Sequence, residues 1–403
     1  MTRSSEHERS GRRSANSPRI VHLDHTSDPG GAEFALMRML AAEADWQPLL
    51  LLPPNSRGGV FTPVEGRVPI RVGGIVQHPG VSTGTWASLA GAAARLAVQT
   101  VATRLDRGFR TADLVDANTA RAAAYGALAA RSSRVPLVIH LRDFVDAASL
   151  GRVGFAMMSR IALPRADGVV ANSQATLASA RSFLRPDATT AVIASASGLR
   201  RATPGPRPDR PDRPLRIGML ARIDPWKGQL QLLDAFAEAF ADGDERLEFA
   251  GGAPFGHDAF ADDLRVRAAE RGIADRVEFL GHVDDVATVL RGWDIAVQAS
   301  LRPEPLGQNV LQYLAAGVPS IVADEGGPVE WIEHGRNGIR VAPRDVDALR
   351  DALVMLAGDA PLRTGIAVAA SRTPGLLTDD EVMRAHAEFY GEVLRRSRPH
   401  PTW

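Results

Sequence analysis

Short apolar segments alternate with helical segments along most of this 403-residue chain, and this alternation restricts the fold more than any other feature. The first half has predicted strands at Arg19–Asp24, Pro48–Leu52, Val68–Val72, Asp113–Ala117, Leu137–Leu141, Gly168–Ala171 and Ala191–Ala194. The second half has them at Leu215–Leu220, Leu247–Ala250, Val277–Leu280, Ile295–Ala299, Ser320–Val322 and Ile339–Val341. Short apolar segments bounded by turn residues are typical of strands covered on both faces. The alternation therefore predicts an α/β protein with parallel sheets and right-handed crossovers.

A proline-rich segment separates the two sets of strands. Residues 199–214, LRRATPGPRPDRPDRP, have no apolar periodicity and predict an extended linker. Because 403 residues exceed a single ordinary core, we expect two Rossmann-like domains, residues 19–198 and 215–377, facing a cleft. Residues 1–18 are rich in arginine and serine without an apolar centre, and they predict a disordered tail.

Composition excludes several kinds of site and partner. The chain has no cysteine, which rules out disulfides and cysteine-ligated zinc and favours a reducing compartment. The formal net charge of zero conceals a basic first half and an acidic second half, so the first half either faces an anionic acceptor or surface or is simply a solvated face. We predict no nucleic-acid partner. No segment approaches ~20 uninterrupted apolar residues, so we expect no transmembrane helix and a cytoplasmic protein. Residues 86–101 and 152–165 are amphipathic, which fits either peripheral contact with the inner face of the membrane or the core face of a helix. No pattern predicts an oligomeric state.

The segment from residue 300 to 332 changes periodicity within a few positions. A buried strand ends at its start, and two prolines stiffen the loop that carries Glu304. From Gln308 onward the apolar residues recur at helical spacing, and a glycine and a proline then precede another strand. In an open parallel sheet such a loop lies at the carboxyl end of a strand. Ligands bind there, and the helix N-terminus offers free N–H groups to an anion.

Two further features would suit a phosphorylated ligand, and a third is a histidine at the end of a strand. Arg222 and Lys227 stand five positions apart around a proline turn after a strand, and two adjacent cations suit a diphosphate, although a basic pair alone is unspecific. Lys227 is the only lysine in the chain. Gly30 and Gly31 precede a predicted helix and form either a plain turn or a phosphate-binding loop. His140 ends a strand, where a packed histidine is the alternative to a functional one.

Taken together, these segments resemble the family 4 glycosyltransferases, a retaining family with the GT-B architecture. The similarity rests on the Gly30-Gly31-Ala32-Glu33 loop, on Arg222-x-x-x-x-Lys227-Gly228, and on Glu304 with Gln312 eight positions later. The resemblance implies that four residues are catalytic, namely His140, Arg222, Lys227 and Glu304. It implies that the donor contacts Gly30, Gly31, Val283, Glu304, Leu306, Gly307, Gln308 and Gln312.

The resemblance also implies a function. The chain would be a retaining, metal-independent hexosyltransferase that moves a sugar from a UDP- or GDP-sugar to a hydroxyl of a glycan, glycolipid or natural product. The nucleotide sugar would be a co-substrate, and neither a cofactor nor a metal is expected, since no Asp-x-Asp lies at a convincing strand end. Residues 378–403 would form a C-terminal helix that packs back on the first domain. Two alternatives remain, a degenerate nucleotide-sugar-binding protein and a GT-B nucleotide-sugar epimerase.

Gln312 departs from the family pattern, which has a second glutamate that contacts the ribose. A hydrogen bond to a charged group contributes ~1.5–3 kcal/mol and a neutral one ~0.5–1.5 kcal/mol, so donor affinity would fall about fivefold. Glu304, which would contact the transferred sugar, is retained. The exchange is therefore expected to weaken donor binding and to leave the chemical step unchanged.

Overall fold

The computed structural model describes residues 17–54, 59–77, 86–131, 133–203, 205, 213–253 and 256–397. Two compact units make up the chain. Unit 1 comprises residues 1–172, 176–193 and 379–403, and unit 2 comprises residues 173–175 and 194–378. The predicted tail lies almost wholly outside the described residues, and the predicted linker does so in part.

Unit 1 is built on a seven-stranded parallel sheet with strand order β3-β2-β1-β4-β5-β6-β7. Its strands are β1 (Arg19–Leu23), β2 (Gln47–Leu52), β3 (Ile70–Val72), β4 (Leu114–Ala117), β5 (Leu137–Leu141), β6 (Gly168–Ala171) and β7 (Thr189–Val192). Its helices are α1 (Gly31–Ala41), α2 (Trp86–Leu105), α3 (Arg107–Arg110), α4 (Ala120–Ala130), α5 (Ala147–Met157), most of α6 (Gln174–Ala180) and the C-terminal α13 (Asp379–Ser397). The C-terminal helix packs against α1 and β7 of this unit.

Unit 2 is built on a six-stranded parallel sheet with strand order β10-β9-β8-β11-β12-β13. Its strands are β8 (Arg216–Leu220), β9 (Arg246–Ala250), β10 (Val277–Gly281), β11 (Ile295–Gln298), β12 (Ser320–Ala323) and β13 (Ile339–Val341). Its helices are α7 (Gln229–Ala239), α8 (Asp258–Glu270), α9 (Val286–Gly292), α10 (Gln308–Ala316), α11 (Val346–Gly358) and α12 (Ala360–Ser371).

The prediction of two α/β units with parallel sheets is confirmed, and each predicted strand has a counterpart. The central strands are buried on both faces, as their largely apolar sequences require: every residue of β4, β5, β6, β11 and β12 is buried. Helices cover both sheets, and small side chains let α4 pack closely, since Ala122, Ala123 and Ala129 have no exposed surface. This arrangement brings the carboxyl ends of all strands in a sheet to one edge.

The two amphipathic segments adopt different structures. The first lies within α2, which exposes Val98, Val101 and Leu105 on one side. The second is not one regular helix, because α5 is followed by a π-helical turn, Met158–Ala162, and a 3-10 turn, Leu163–Arg165, whose apolar side chains are largely buried. Within the described residues, no single helix has the length and apolar character to cross a bilayer. One pair, α11 and α12, meets those criteria jointly but bends by 100°.

Candidate active site

The loops after β8 and β11 leave neighbouring strands of unit 2 and pack against each other. The Leu301 N–H donates to the Trp226 carbonyl oxygen at 2.7 Å. Gly228 has a φ of +83°, and a Cβ at this position would lie 1.9 Å from the Ala299 carbonyl oxygen. Only glycine permits this conformation and this approach. The close packing of the two loops brings Lys227 next to the loop that carries Glu304.

Glu304 and Lys227 form an ion pair at the carboxyl end of β11. The Lys227 Nζ lies 2.9 Å from Glu304 Oε1, and the glutamate is only 6% exposed. The same oxygen accepts hydrogen bonds from Gln298 Nε2, at 3.1 Å, and from the Ser300 hydroxyl. Since these contacts are all to Oε1, Oε2 keeps its capacity to accept a hydrogen bond from a ligand.

The surroundings of Glu304 keep it charged. Burial by itself would raise the pKa of Glu304, but the charge of Lys227 and hydrogen bonds from Ser300, Lys227 and Gln298 together lower it below its usual value. The carboxylate is therefore ionised at neutral pH. An ionised carboxylate is a strong acceptor for the hydroxyl groups of a sugar.

Arg222 joins the same cluster through Trp226. The Lys227 Nζ lies 4.1 Å from the centre of the Trp226 ring, and the Arg222 Cζ lies 5.8 Å from it. Arg222 Nη2 is also 3.2 Å from Asp224 Oδ2, and the Asp224 side chain caps the short 3-10 turn Pro225–Lys227. The structure thus brings three of the four predicted catalytic residues into one region of unit 2.

The predicted donor contacts after Glu304 lie at the start of α10. Gly307 has a φ of +76°, and a Cβ there would lie 2.7 Å from Pro328 Cγ, so this position requires glycine. Leu306 is buried, and the Gln308 side chain donates to the Ala196 carbonyl oxygen at 2.8 Å. Gln312 is half-buried one turn further along the helix. Their contacts with a donor stay predictions.

Val283 lies elsewhere on the same edge of the sheet. It follows β10, the edge strand, and β9 separates that strand from β8. The side chain is half-buried and packs on the apolar cluster around Trp293. All the predicted site residues of unit 2 therefore follow the carboxyl ends of strands, where a parallel sheet places a ligand.

Gly30 and Gly31 begin α1 of unit 1. Gly30 is the N-cap residue and has no side chain with which to cap the N–H groups of the first turn. A Cβ at Gly30 would lie 2.2 Å from Glu33 Oε2, whereas a Cβ at Gly31 would meet no atom within 4 Å. The Glu33 carboxylate is the end of a flexible side chain and can move aside, so packing requires glycine at neither position 30 nor position 31.

His140, the fourth predicted catalytic residue, belongs to a buried polar network of unit 1. Its Nε2 lies 2.9 Å from Asp116 Oδ1, and its Nδ1 lies 3.1 Å from the Arg142 guanidinium. The other Asp116 oxygen is 2.8 Å from His22 Nδ1, and His22 Nε2 accepts from the Trp46 indole at 3.1 Å. Because both ring nitrogens of His140 are engaged and the side chain is 2% exposed, its contact with a donor stays a prediction.

Charges and burial set the protonation states of this network. Burial alone would raise the pKa of Asp116, but His140 first and His22 second hold it well below its usual value. Burial lowers the pKa of His140 despite the nearby carboxylate. The ring of His386, from α13, stacks on His140 with centroids 5.1 Å apart, and burial lowers its pKa to about 3.

The low pKa of His386 predicts a pH-dependent contribution to stability. The unfolded chain gains a proton on this histidine near its ordinary pKa of about 6.5, whereas the folded chain does so only near 3, so acid favours unfolding across this window. As the pH is lowered from about 6.5 to about 3, we expect the free energy of unfolding of the wild type, relative to that of His386→Phe, to fall by roughly 1 kcal/mol per pH unit. Hydrogen exchange of the β5 amides, corrected for intrinsic rates, measures this difference.

The difference in stability between the wild type and His386→Phe separates the effect of His386 from that of other titrating groups. Burial, and next the charge of Asp24, raises the pKa of Glu33 to about 7, which gives the opposite slope between about 4.5 and 7. Because Glu33 is present in both proteins, its effect cancels. Parallel loss of stability in wild type and variant would show that the folded protein does not keep His386 neutral.

One group of side chains in the described residues has metal-ligating atoms close together. These atoms belong to Asp24, His25 and Glu33 and lie within 4.8 Å of one another. Asp24 also accepts hydrogen bonds from Asn118 Nδ2 and from the His25 N–H, both at 2.7 Å, so its carboxylate already has protein partners. The expectation of a metal-free protein stays a prediction.

Sequence reasoning missed the residues that support the predicted ones. Gln298 and Ser300 hold the Glu304 carboxylate, and their only signal is a polar pair at the end of an apolar strand. Trp226 stands next to Lys227 in the sequence, but nothing there indicated that its ring would gather cations. The Asp116 network gave the weak signal of one charged residue inside the otherwise apolar β4.

Comparisons with known proteins agree with this architecture. Residues 60–195 match the model described as Glycosyltransferase Family 4, and residues 214–359 match the model described as Glycosyl transferases group 1. The chain belongs to the family 4 glycosyltransferases. This membership confirms the resemblance on which the predictions from the sequence rest.

Individual relatives of this glycosyltransferase match shorter stretches. A lipopolysaccharide core biosynthesis mannosyltransferase, LpsB of Rhizobium meliloti, is 32% identical over 149 residues, 36% of this chain and 42% of that protein. A D-inositol 3-phosphate glycosyltransferase of Stackebrandtia nassauensis is 33% identical over 208 residues, 47% of this chain and 44% of that protein. The chain thus spans less than half the length of these curated relatives.

A solved structure covers far more of the chain. HepE of Anabaena, determined in complex with UDP and glucose, is 25% identical with a TM-score of 0.74. The match includes 93% of this chain and 99% of that one. The GT-B fold therefore extends over nearly the whole glycosyltransferase.

Proposed function

We propose that this chain is a hexosyltransferase that moves a sugar from a UDP- or GDP-sugar to an acceptor hydroxyl. The observation that carries the proposal is the buried Glu304 carboxylate, 2.9 Å from the Lys227 ammonium at the carboxyl end of β11. A carboxylate of this kind can accept hydrogen bonds from sugar hydroxyls, while the adjacent cation balances a phosphate charge. HepE, which was solved with UDP and glucose, supports this class of donor.

The proposed reaction retains the configuration of the transferred sugar. The bond between the anomeric carbon and the diphosphate oxygen breaks, and a bond to the acceptor oxygen forms on the same face of the sugar. The proton of the acceptor hydroxyl passes to the departing phosphate. No nucleophile or strong base is required of the protein, so its contribution is to orient the donor and to stabilise the leaving group.

Lys227 and Arg222 would stabilise the leaving diphosphate without a metal ion. Fixed donors that face developing charge typically contribute ~3–4 kcal/mol each in the transition state. The contact of Lys227 with Glu304 and the contact of Arg222 with Asp224 hold both cations in place before a donor binds. Preorganised cations of this kind require little rearrangement during the reaction.

We expect Lys227→Ala to lower kcat/KM for nucleotide diphosphate release by roughly 100-fold or more. The assay supplies UDP- and GDP-sugars with an acceptor extract, and EDTA is present so that release by the wild type also tests metal independence. Arg336→Ala is the control, because this arginine is exposed in the same unit and pairs with Glu333. Wild-type activity in Lys227→Ala would contradict the proposed role of the cation.

Other outcomes of the same assay would identify the alternatives. Binding of a nucleotide sugar with no diphosphate release would favour a binding protein. Conversion of one nucleotide sugar into its epimer, without an acceptor, would favour an epimerase. Proton NMR of the anomeric signal in the product tests retention. For the acceptor, the exposed Val98, Val101 and Leu105 of α2 would suit a lipid-linked molecule at a membrane surface.

A further inference from the structure

A third cation, Arg302, lies on the ring that gathers Arg222 and Lys227. The Arg302 Cζ is 5.1 Å from the centre of the Trp226 ring, close to the 4.1 Å of Lys227 Nζ and the 5.8 Å of Arg222 Cζ. Arg302 is exposed and stands two positions before Glu304. The Trp226 ring therefore contacts cationic side chains from both loops at this edge of the sheet.

Two hydrogen bonds hold the backbone of Leu301, the residue before Arg302. The Leu301 N–H donates to the Trp226 carbonyl oxygen at 2.7 Å, and the Leu301 carbonyl oxygen accepts from Arg344 Nη1 at 2.9 Å. Arg344 is itself fixed by two hydrogen bonds to the Glu325 carboxylate, at 2.8 and 3.2 Å. Pro303 follows and disfavours a helical conformation at Arg302. The side chain thus leaves a well-defined point of the backbone.

The charges around Trp226 do not cancel. Lys227 is paired with Glu304 at 2.9 Å and Arg222 with Asp224 at 3.2 Å, so these four groups contribute no net charge. Among the residues that the structure describes, Arg302 makes no ion pair with a carboxylate and contacts the ring face instead. A cation over an aromatic face keeps its N–H groups available for an anion. The surplus positive charge of the cluster therefore comes from Arg302.

We propose that Arg302 is a third phosphate-binding residue for the nucleoside diphosphate and that Trp226 positions it. This inference rests on the proposed function and adds a residue to it. Two carboxylate-paired cations would leave part of the diphosphate charge unbalanced, particularly once the sugar has departed, and Arg302 supplies the missing charge. A planar guanidinium can bind two phosphate oxygens at once, which suits a diphosphate better than a point charge does.

Calorimetric binding of UDP, GDP and the corresponding nucleosides to purified full-length protein tests the proposal. We expect Arg302→Ala to weaken binding of the preferred diphosphate roughly tenfold and to leave nucleoside binding unchanged. Arg302→Lys should recover part of the loss because it keeps the charge.

Trp226→Leu should reduce diphosphate affinity as much as Arg302→Ala or more, because the ring also contacts Lys227. Trp226→Phe should reduce it less, because it keeps an aromatic ring. The affinity of Arg302→Ala should also depend less steeply on salt.

Arg265→Ala is the matched control. Arg265 is an exposed arginine of unit 2 whose Cζ lies 4.8 Å from the Phe279 ring centre, so the substitution removes the same kind of contact elsewhere. We expect its diphosphate affinity to equal that of the wild type. Equal diphosphate binding by wild type and Arg302→Ala overturns the role of Arg302 and leaves the proposed function intact. Failure of the wild type to bind either diphosphate overturns both.

Discussion

Replacement of Glu304 by glutamine is expected to lower kcat/KM for sugar transfer by roughly 1,000-fold. Two effects combine. The neutral amide loses the charge-assisted hydrogen bond to a sugar hydroxyl, and Lys227 loses the partner 2.9 Å away that holds its ammonium in place. Loss of a preorganised contact to the transition state typically costs ~3–4 kcal/mol, and ~1.4 kcal/mol corresponds to a tenfold change in rate.

Kinetics and calorimetry together separate the roles of Glu304. Initial rates of diphosphate release give kcat/KM, and titration with UDP or GDP gives the affinity for the leaving group. We expect that affinity to change far less than the rate, because the sugar contact is absent in the diphosphate. Glu248→Gln is the control, since it removes another buried carboxylate of unit 2, one that pairs with Arg216 and the Trp293 indole. A rate within threefold of the wild type, as a rough limit, in Glu304→Gln would contradict the proposed sugar contact.

Replacement of Asp116 by asparagine is expected to destabilise unit 1 by about 3–5 kcal/mol. The carboxylate has no exposed surface and lies 2.8 Å from His22 Nδ1 and 2.9 Å from His140 Nε2. An asparagine has one acceptor oxygen and no charge, so its NH2 group would face one of the two imidazole rings, and the negative charge between the rings would be lost. The loss exceeds that of a surface change because water cannot replace the missing hydrogen bond.

Hydrogen exchange resolves the effect by unit. The amides of β4 and β5 should exchange much faster in Asp116→Asn, whereas those of β8 and β11 should keep their wild-type rates. Asp113→Asn provides the comparison, because Asp113 is exposed just before the same strand and accepts a hydrogen bond from the Arg19 N–H. We expect that variant to stay within about 0.5 kcal/mol of the wild type. Unchanged exchange in Asp116→Asn would show that the two histidines do not depend on the carboxylate.

The strands and the residues after them could be predicted because their signals are local. Apolar segments of four to six residues between turn residues identify buried strands without knowledge of their neighbours. Arg222 and Lys227 lie within one loop, and Glu304 lies within another that two prolines stiffen. Their residue types and spacing are therefore visible in the sequence. Even the glycines carry local information: Gly307 and Gly228 both adopt positive φ angles at the start of helices.

Contacts between distant segments could not be predicted, because they depend on strand order. Adjacent strands β8 and β11 bring Lys227 to Glu304, and no local pattern shows that these two strands are neighbours. The same holds in unit 1, where β1 pairs with β4 in a register that places His22 opposite Asp116, 94 residues away. His386 reaches this network only because the last helix of the chain packs on unit 1.

The amino-acid sequence by itself determined which segments are strands and helices and which side chains stand at their ends, since backbone preference and burial pattern act over a few residues. Tertiary structure alone decided how those side chains are used. It gave Glu304 the hydrogen bonds of Gln298 and Ser300, gathered Arg302 with the other cations on Trp226, and enclosed His140 between a carboxylate, a guanidinium and a second imidazole. Charge, hydrogen bonding and burial act through space, and only the packed sheets bring these groups within reach of one another.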